Sequence, residues 1–179
     1  MIIGIDLDST LVDTVGMIKD IFIKHQVAYT PALDWHMTNY PEEIRKEIFD
    51  IFKNKPEIMR SIKPFPGVIS LLDRMSEKNE IIIITSRVEI EENKRWIESM
   101  FPMVSWVIVT NSENKKEHFI NEKIDIWIDD APHGIEDARS LGIPTIMISN
   151  SDTPYNHHMR RISFYIPNIM TLDFLGNLT

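Results

Sequence analysis

Two carboxylates spaced two residues apart, Asp6 and Asp8, directly follow the apolar run Ile2-Ile3-Gly4-Ile5. A second acidic pair, Asp129-Asp130, closes the mostly apolar run 124–128, and Thr85-Ser86-Arg87 closes the run 81–84. Two adjacent lysines, Lys115 and Lys116, follow a further run at 106–109. Carboxylate oxygens are hard ligands that suit Mg2+ alongside water and phosphate oxygens. One carboxylate can attack phosphorus while another handles the proton. A threonine hydroxyl can donate to a phosphoryl oxygen, and an ammonium can balance the charge that builds on it.

Each piece alone has a plainer reading. An Asp-x-Asp turn is often a cap or a turn former, and Thr85 and Ser86 are plausible helix caps. A lysine pair is usually a solvated helix face, and Asp130 ahead of Ala131-Pro132 reads as a cap. Their joint meaning depends on the elements that carry them. The runs at 2–5, 81–84, 106–109, 124–128 and 145–148 read as strands buried on both faces. Helical spacing fills the gaps: Val68, Leu71, Leu72 and Met75 share one face, Ile90, Ile97, Met100 and Phe101 another, and Ile135, Ala138 and Leu141 a third. Strands alternating with helices give βαβ units and a parallel α/β sheet. Ligands of such sheets bind outside the carboxyl ends of the strands, where every residue singled out above lies.

Between the first and second strands the pattern changes. Val15, Ile18, Phe22 and His25 form one helix face, and Ile44, Ile48, Ile51 and Phe52 another, opened by Pro41. The interval 14–64 therefore reads as a helical insertion, ended by Pro64-Phe65-Pro66-Gly67. A short helix is expected from Tyr155 to about Ile162. Trp96, Trp106 and Trp127 sit on element patterns and read as packing residues, and His157-His158 as a surface pair.

The chain has 179 residues, a formal net charge of -8 and no cysteine. That length suits one domain with a modest insertion. Without cysteine there is no disulfide, thiolate zinc site or thiol nucleophile. The acidic balance argues against a nucleic-acid or anionic-membrane surface, and no apolar run is long enough to span a membrane. A cytoplasmic location is expected.

Taken together, these motifs resemble the haloacid dehalogenase (HAD) superfamily of phosphotransferases. Asp6-Leu7-Asp8-Ser9-Thr10 is similar to its first motif, Ile81 through Thr85-Ser86 to its second, Lys115 or Lys116 to its third, and Ile128-Asp129-Asp130 to its fourth. The resemblance implies a three-layer, Rossmann-like sheet of order 5-4-1-2-3, with a catalytic core of 1–13 and 65–179 and a small helical cap over 14–64. It implies that Asp6 is the nucleophile and that Asp8 is the acid and then the base. It implies that Thr85 and one lysine hold the phosphoryl group. Mg2+ would be bound by Asp6, the backbone carbonyl of Asp8 and Asp129, with Asp130 in support. Spacing leaves Lys115 and Lys116 open; a helix beginning at Lys115 favours Lys116. Ser9 departs from the glycine common at its position.

An acid at position 8 favours phosphate esters within the superfamily, and a cap after the first motif admits small molecules. The chain further resembles the small 5'(3')-deoxyribonucleotidases, through Pro64-Phe65-Pro66-Gly67, Thr85-Ser86, Asp125 and Tyr155-Asn156. The substrate implied is a nucleotide, with Ser86, Arg87 and Trp35 as substrate-binding candidates and Trp35 placed to stack a base. Another small phosphate ester, such as a sugar phosphate or a nucleic-acid 3'-phosphate, and a non-catalytic phosphate-binding module are the alternatives. A homodimer is compatible with these features.

Overall fold

In a computed structural model, residues 1–88, 90–110 and 114–173 are described. The strands are β1 (Ile2–Ile5), β2 (Glu80–Thr85), β3 (Trp106–Val109), β4 (Ile126–Asp129), β5 (Thr145–Ile148) and β6 (Phe164–Ile166). The helices are α1 (Thr14–Lys24), α2 (Glu42–Asn54), α3 (Pro56–Ser61), α4 (Val68–Ser76), α5 (Ile90–Met100), α6 (Lys116–Asn121) and α7 (Pro132–Ser140). Two 3-10 helices, Pro154–Arg161 and Ile169–Asp173, complete the described chain.

All strand pairs are parallel, in the order β3-β2-β1-β4-β5-β6. The order 5-4-1-2-3 is thus present, with a sixth strand added beyond β5. The sequence reading omits β6 because its three residues carry no periodic signal: Phe164 and Tyr165 are exposed, and only Ile166 is buried. The helix expected from Tyr155 is a 3-10 helix. β4 begins at Ile126 rather than at Ile124. Asp125 sits just ahead of it and accepts a hydrogen bond from the Ile2 amide at 2.7 Å, tying the start of β1 to its neighbour.

The strand residues form near-continuous apolar runs because both faces of the sheet are covered. One face carries Ile3, Ile5, Ile81, Ile83 and Ile128, and the other Ile82, Ile84, Trp127 and Met147. Gly4 alternates onto the second face, where a Cβ would lie 2.7 Å from Trp127 Cε3. The central strand therefore needs glycine there to let the indole approach. Trp127 is a core residue, as its pattern indicates; the Trp106 side chain lies outside the described ones.

Three helices, α1 to α3, occupy the interval 14–64, and α4 follows before β2. Asp13 starts α1 by accepting from the Gly16 amide at 2.8 Å, which satisfies one of the orphan donors of a helix start. Ile18, Ile21 and Phe22 of α1 face Ile44, Ile48 and Ile51 of α2, all buried. The apolar core is continuous from this helical layer to the sheet. Phe22 anchors the layer, with edge-on ring contacts to Tyr29 at 5.4 Å and Tyr40 at 4.8 Å between centroids. Such geometry adds to simple area burial.

The β1–β2 and β1–β4 registers pair Ile5 with both Ile83 and Ile128. Asp6, Thr85 and Asp129 consequently end on one rim of the sheet. Truncating the anchor, Phe22→Ala, is expected to cost about 3–5 kcal/mol, read as a lower urea midpoint. An unchanged midpoint would show that the helical layer does not depend on this ring.

Candidate active site

Asp6 leaves β1 at its carboxyl end, its amide donating to the Ile128 carbonyl at 2.9 Å. Its carboxylate meets the Lys115 ammonium, Nζ to Oδ1 at 2.5 Å, and the same Nζ lies 3.5 Å from Asp129 Oδ2. Lys115 is 1% exposed and lies 4.8 Å from the centre of the Trp127 ring. The position favoured for Lys116 is corrected here. α6 begins one residue later than expected, at Lys116, whose amide donates to Asn114 Oδ1. Lys115 therefore precedes the helix and points into the sheet rim. Lys116 turns outward and pairs with Asp137 at 3.2 Å.

Asp129 is fully buried at the end of β4. Trp127 Nε1 donates to its Oδ2 and the Ala131 amide to its Oδ1, both at 2.9 Å. The first turn of α7 passes directly over it at Gly134, where a Cβ would overlap the Asp129 carboxylate. Asp130 is held by Thr10 Oγ1 at 3.4 Å and by the Tyr155 hydroxyl, and Asn156 Nδ2 donates to its carbonyl at 2.6 Å. Asp6, Asp129 and Asp130 each present an oxygen within 4.8 Å of the others.

Asp8 lies past the strand, where the chain turns through Ser9 at φ 59°. That left-handed backbone is easiest for glycine, which accounts for the residue common at this position. Asp8 Oδ1 accepts from Thr14 Oγ1 at 2.8 Å and from Arg87 Nη2 at 2.8 Å, and Oδ2 from Arg87 Nε at 2.9 Å. Thr85 is buried at the end of β2, where its Oγ1 accepts from the Arg87 amide at 3.4 Å.

A cavity of about 490 Å³ opens over this rim. Its floor includes Asp6, Asp8, Thr85, Ser86, Lys115 and Asp130, and its far walls are Trp35, Tyr29, Tyr40, Phe49 and Phe52. Trp35 is braced edge-on by His133 at 4.8 Å and Tyr155 at 5.5 Å. The structure thus brings together all the residues singled out from the sequence except Lys116. It adds Thr14 and His133, gives Tyr155 a bond to Asp130, and makes Gly134 a requirement for Asp129. A glycine in the first turn of a helix directly after an acidic pair is a readable signal of close approach. Nothing in the sequence pairs Thr14 with Asp8.

The electrostatics follow from burial and like charge. Burial pushes the Asp6 carboxyl up to about 7, against the attraction of Lys115 and with the help of Asp129 and Asp8. Burial also raises Asp130, reinforced by Asp129 and Asp6. For Asp8 burial acts in the same direction, but the Arg87 guanidinium and Thr14 outweigh it and hold this carboxyl below its usual value. Burial opposes the Lys115 charge, and the carboxylates of Asp129 and Asp6 more than reverse that. With Asp8 neutralised by Arg87, one ammonium faces three buried carboxylates. Two negative charges are left without a counterion, an arrangement that buried groups do not tolerate unpaired. The set of hard oxygens and its charge deficit fit a divalent cation such as Mg2+.

Comparison with known proteins agrees with this geometry. The family described as 5' nucleotidase, deoxy (Pyrimidine), cytosolic type C matches residues 1–165. A protein of Chlorobaculum tepidum described as a "Putative 5'(3')-deoxyribonucleotidase" is 23% identical over 92% of this chain and 86% of its own. The solved structure of a haloacid dehalogenase-like family hydrolase from Streptococcus pneumoniae superposes with a TM-score of 0.68 at 18% identity, covering 99% of this chain and 98% of that one. A Bacillus subtilis protein described as "putative HAD-hydrolase YfnB", solved bound to magnesium, does so at 0.62 and 14% identity, covering 98% of each. These two structures share the fold. Among the described residues no helix is long and apolar enough to cross a membrane.

A pH dependence follows. In the metal-free chain the fold favours neutral Asp6, since its pKa is raised from 3.8 to about 7. Its share of stability is complete below the lower value and is lost as pH rises through the higher one. Asp130 acts in the same direction. A ligand bound only by the folded chain restores stability. Added Mg2+ is thus expected to raise Tm by several degrees at about pH 8 and by little at about pH 5. An equal shift at both, or none, would contradict the charge-deficit argument.

Proposed function

The chain belongs to the deoxy (pyrimidine) 5'-nucleotidase, cytosolic type C family of HAD phosphatases, and from that premise we propose that it is a Mg2+-dependent phosphomonoesterase of nucleoside monophosphates, deoxyribonucleotides first among them. The observation that carries this reading is the gathering of Asp6, Asp8, Asp129, Thr85 and Lys115 on one rim, beneath a cavity walled by aromatic rings. A phosphate at the rim and a planar base against Trp35 match the two ends of that cavity in chemistry. In this reading Asp6, Asp129, Asp130 and the Asp8 carbonyl would hold the metal, as the resemblance implies. Bound there, it would supply positive charge to the phosphoryl oxygens.

The chain's own groups divide the remaining work. An Asp6 carboxylate oxygen attacks phosphorus, and the ester P–O bond breaks. Asp8, which Arg87 holds ionised in the free chain, takes up a proton from solvent as substrate binds and gives it to the leaving oxygen, which departs as an alcohol. Thr85 Oγ1 and the Lys115 ammonium hold the transferred group against Asp6. Asp8 then takes a proton from water as that water attacks phosphorus, which frees the Asp6 carboxylate and inorganic phosphate. The cap walls exclude bulk water from the acyl phosphate. The same family membership and the acidic surface favour a cytoplasmic setting with small-molecule substrates.

The test is phosphate release from a panel of deoxyribonucleoside, ribonucleoside and sugar monophosphates with Mg2+. Preference for deoxyribonucleoside monophosphates is expected. Preference for sugar phosphates would overturn the nucleotide assignment and leave the rim chemistry intact. Asp6→Asn is expected to lower kcat by about 10³-fold or more, and Asp8→Asn by about 10²–10⁴-fold, with both variants folded. A near-normal rate in Asp6→Asn would refute its role as nucleophile.

A further inference from the structure

The sequence places Arg87 among the substrate-binding candidates, yet the structure gives its guanidinium other partners. Nε and Nη2 grip the two oxygens of Asp8 at 2.9 and 2.8 Å, a two-pronged match of fork to carboxylate. Nη1 donates to the Met59 carbonyl at 3.0 Å. The guanidinium carbon lies 4.8 Å from the centre of the Trp96 ring on α5, and the residue is 5% exposed. With both prongs on Asp8, Arg87 cannot grip a phosphate the same way without releasing that carboxylate.

Met59 supplies the link to the helical insertion. It belongs to α3, a helix of six residues. The last four carbonyls of any α-helix lack intrahelical partners, and Met59 is among those of α3. A buried carbonyl of this kind needs an outside donor, and Arg87 provides it. Thr14, the first residue of α1, holds Asp8 Oδ1 from the other side. A carboxylate offers about four acceptor positions. Arg87 and Thr14 fill three of them, leaving one on Oδ2.

We propose that Arg87 is a positioning residue that couples the seating of α3 to the orientation of Asp8. With α3 seated, the guanidinium is fixed at Met59 and presents the Asp8 carboxyl with its open Oδ2 position toward the cavity. When α3 lifts, the third bond is lost and the guanidinium no longer fixes the carboxyl. Proton transfer at Asp8 is then matched to a closed cavity, which protects the phosphoryl group on Asp6 from misplaced water. The catalytic part of this inference rests on the reading of Asp8 as acid and base; the coupling itself does not.

Two measurements on the full chain test it. In steady-state assays with a deoxyribonucleoside monophosphate, Arg87→Met is expected to lower kcat by about 30-fold or more while KM changes by less than about threefold. In an Asp8→Asn background the same change should cost less than about threefold, because Arg87 acts only through Asp8. Arg87→Lys should recover part of the rate, since an ammonium can make one of the two bonds. Losses that multiply in the double variant, or an effect of Arg87→Met carried by KM, would overturn the inference in favour of a direct phosphate contact. The second measurement is hydrogen exchange of the α3 amides without substrate or metal. Asp8→Asn, nearly isosteric and remote from α3 in sequence, is expected to speed that exchange by about tenfold. Faster exchange supports the coupling even in a chain that turned over no nucleotide, which would count against the proposed function alone. Unchanged exchange overturns the coupling even in an active phosphatase.

Discussion

The Lys115 ammonium, buried between Asp6 and Asp129, is the contact on which the rest of the site depends. A buried charge is costly unless it is paired and hydrogen-bonded, and here a single cation serves the ends of two neighbouring strands. The arrangement is possible because β1 is central and its registers bring the ends of β2 and β4 level with its own. Several features that look incidental then become requirements. Gly134 lets α7 pass over Asp129, Trp127 turns its N–H toward that carboxylate, and Tyr155 and Thr10 hold Asp130. The negative charge that remains explains why these oxygens, and not softer ligands, line the rim. A divalent cation would offset that charge.

Asp8 has an opposite environment, although it lies two residues from Asp6. Its charge is balanced by Arg87 and hydrogen-bonded by Thr14, whereas Asp6 shares one lysine with other carboxylates. Two carboxyls of one type are thus pushed apart in proton affinity by their neighbours, Asp6 upward and Asp8 downward in the metal-free chain, so a cation at the Asp6 cluster is needed before Asp6 is the ionised one. The helical interval contributes to both halves of the site. Its aromatic rings wall the cavity, and through Met59 and Thr14 it touches the groups that hold Asp8.

Much of this was legible in the residues. Apolar runs such as Ile81 through Ile84 mark strands covered on both faces, and the acidic and hydroxyl residues that follow them mark the carboxyl-end rim. What escaped was set by tertiary contact. β6 buries only Ile166 and leaves no alternation to read. Lys115 and Lys116 differ by one position at a helix start, where local signals are weakest. The sheet, not the local sequence, turns the first inward and leaves the second on Asp137. Arg87 reads as a substrate-binding candidate until Asp8 and Met59 are seen on either side of it. Tyr155 can be noticed in sequence, but its bond to Asp130 spans distant segments.

Covalent phosphorylation of Asp6 at this rim, proposed above, is tested most directly by rapid acid quench. Mixing the Mg2+-loaded chain with a 32P-labelled deoxyribonucleoside monophosphate should leave label on the protein within a single turnover. The label should be released by hydroxylamine, and borohydride reduction should convert residue 6 to homoserine. Asp6→Asn should carry none. Phosphate release without any label on residue 6, or equal labelling of Asp6→Asn, would contradict the account.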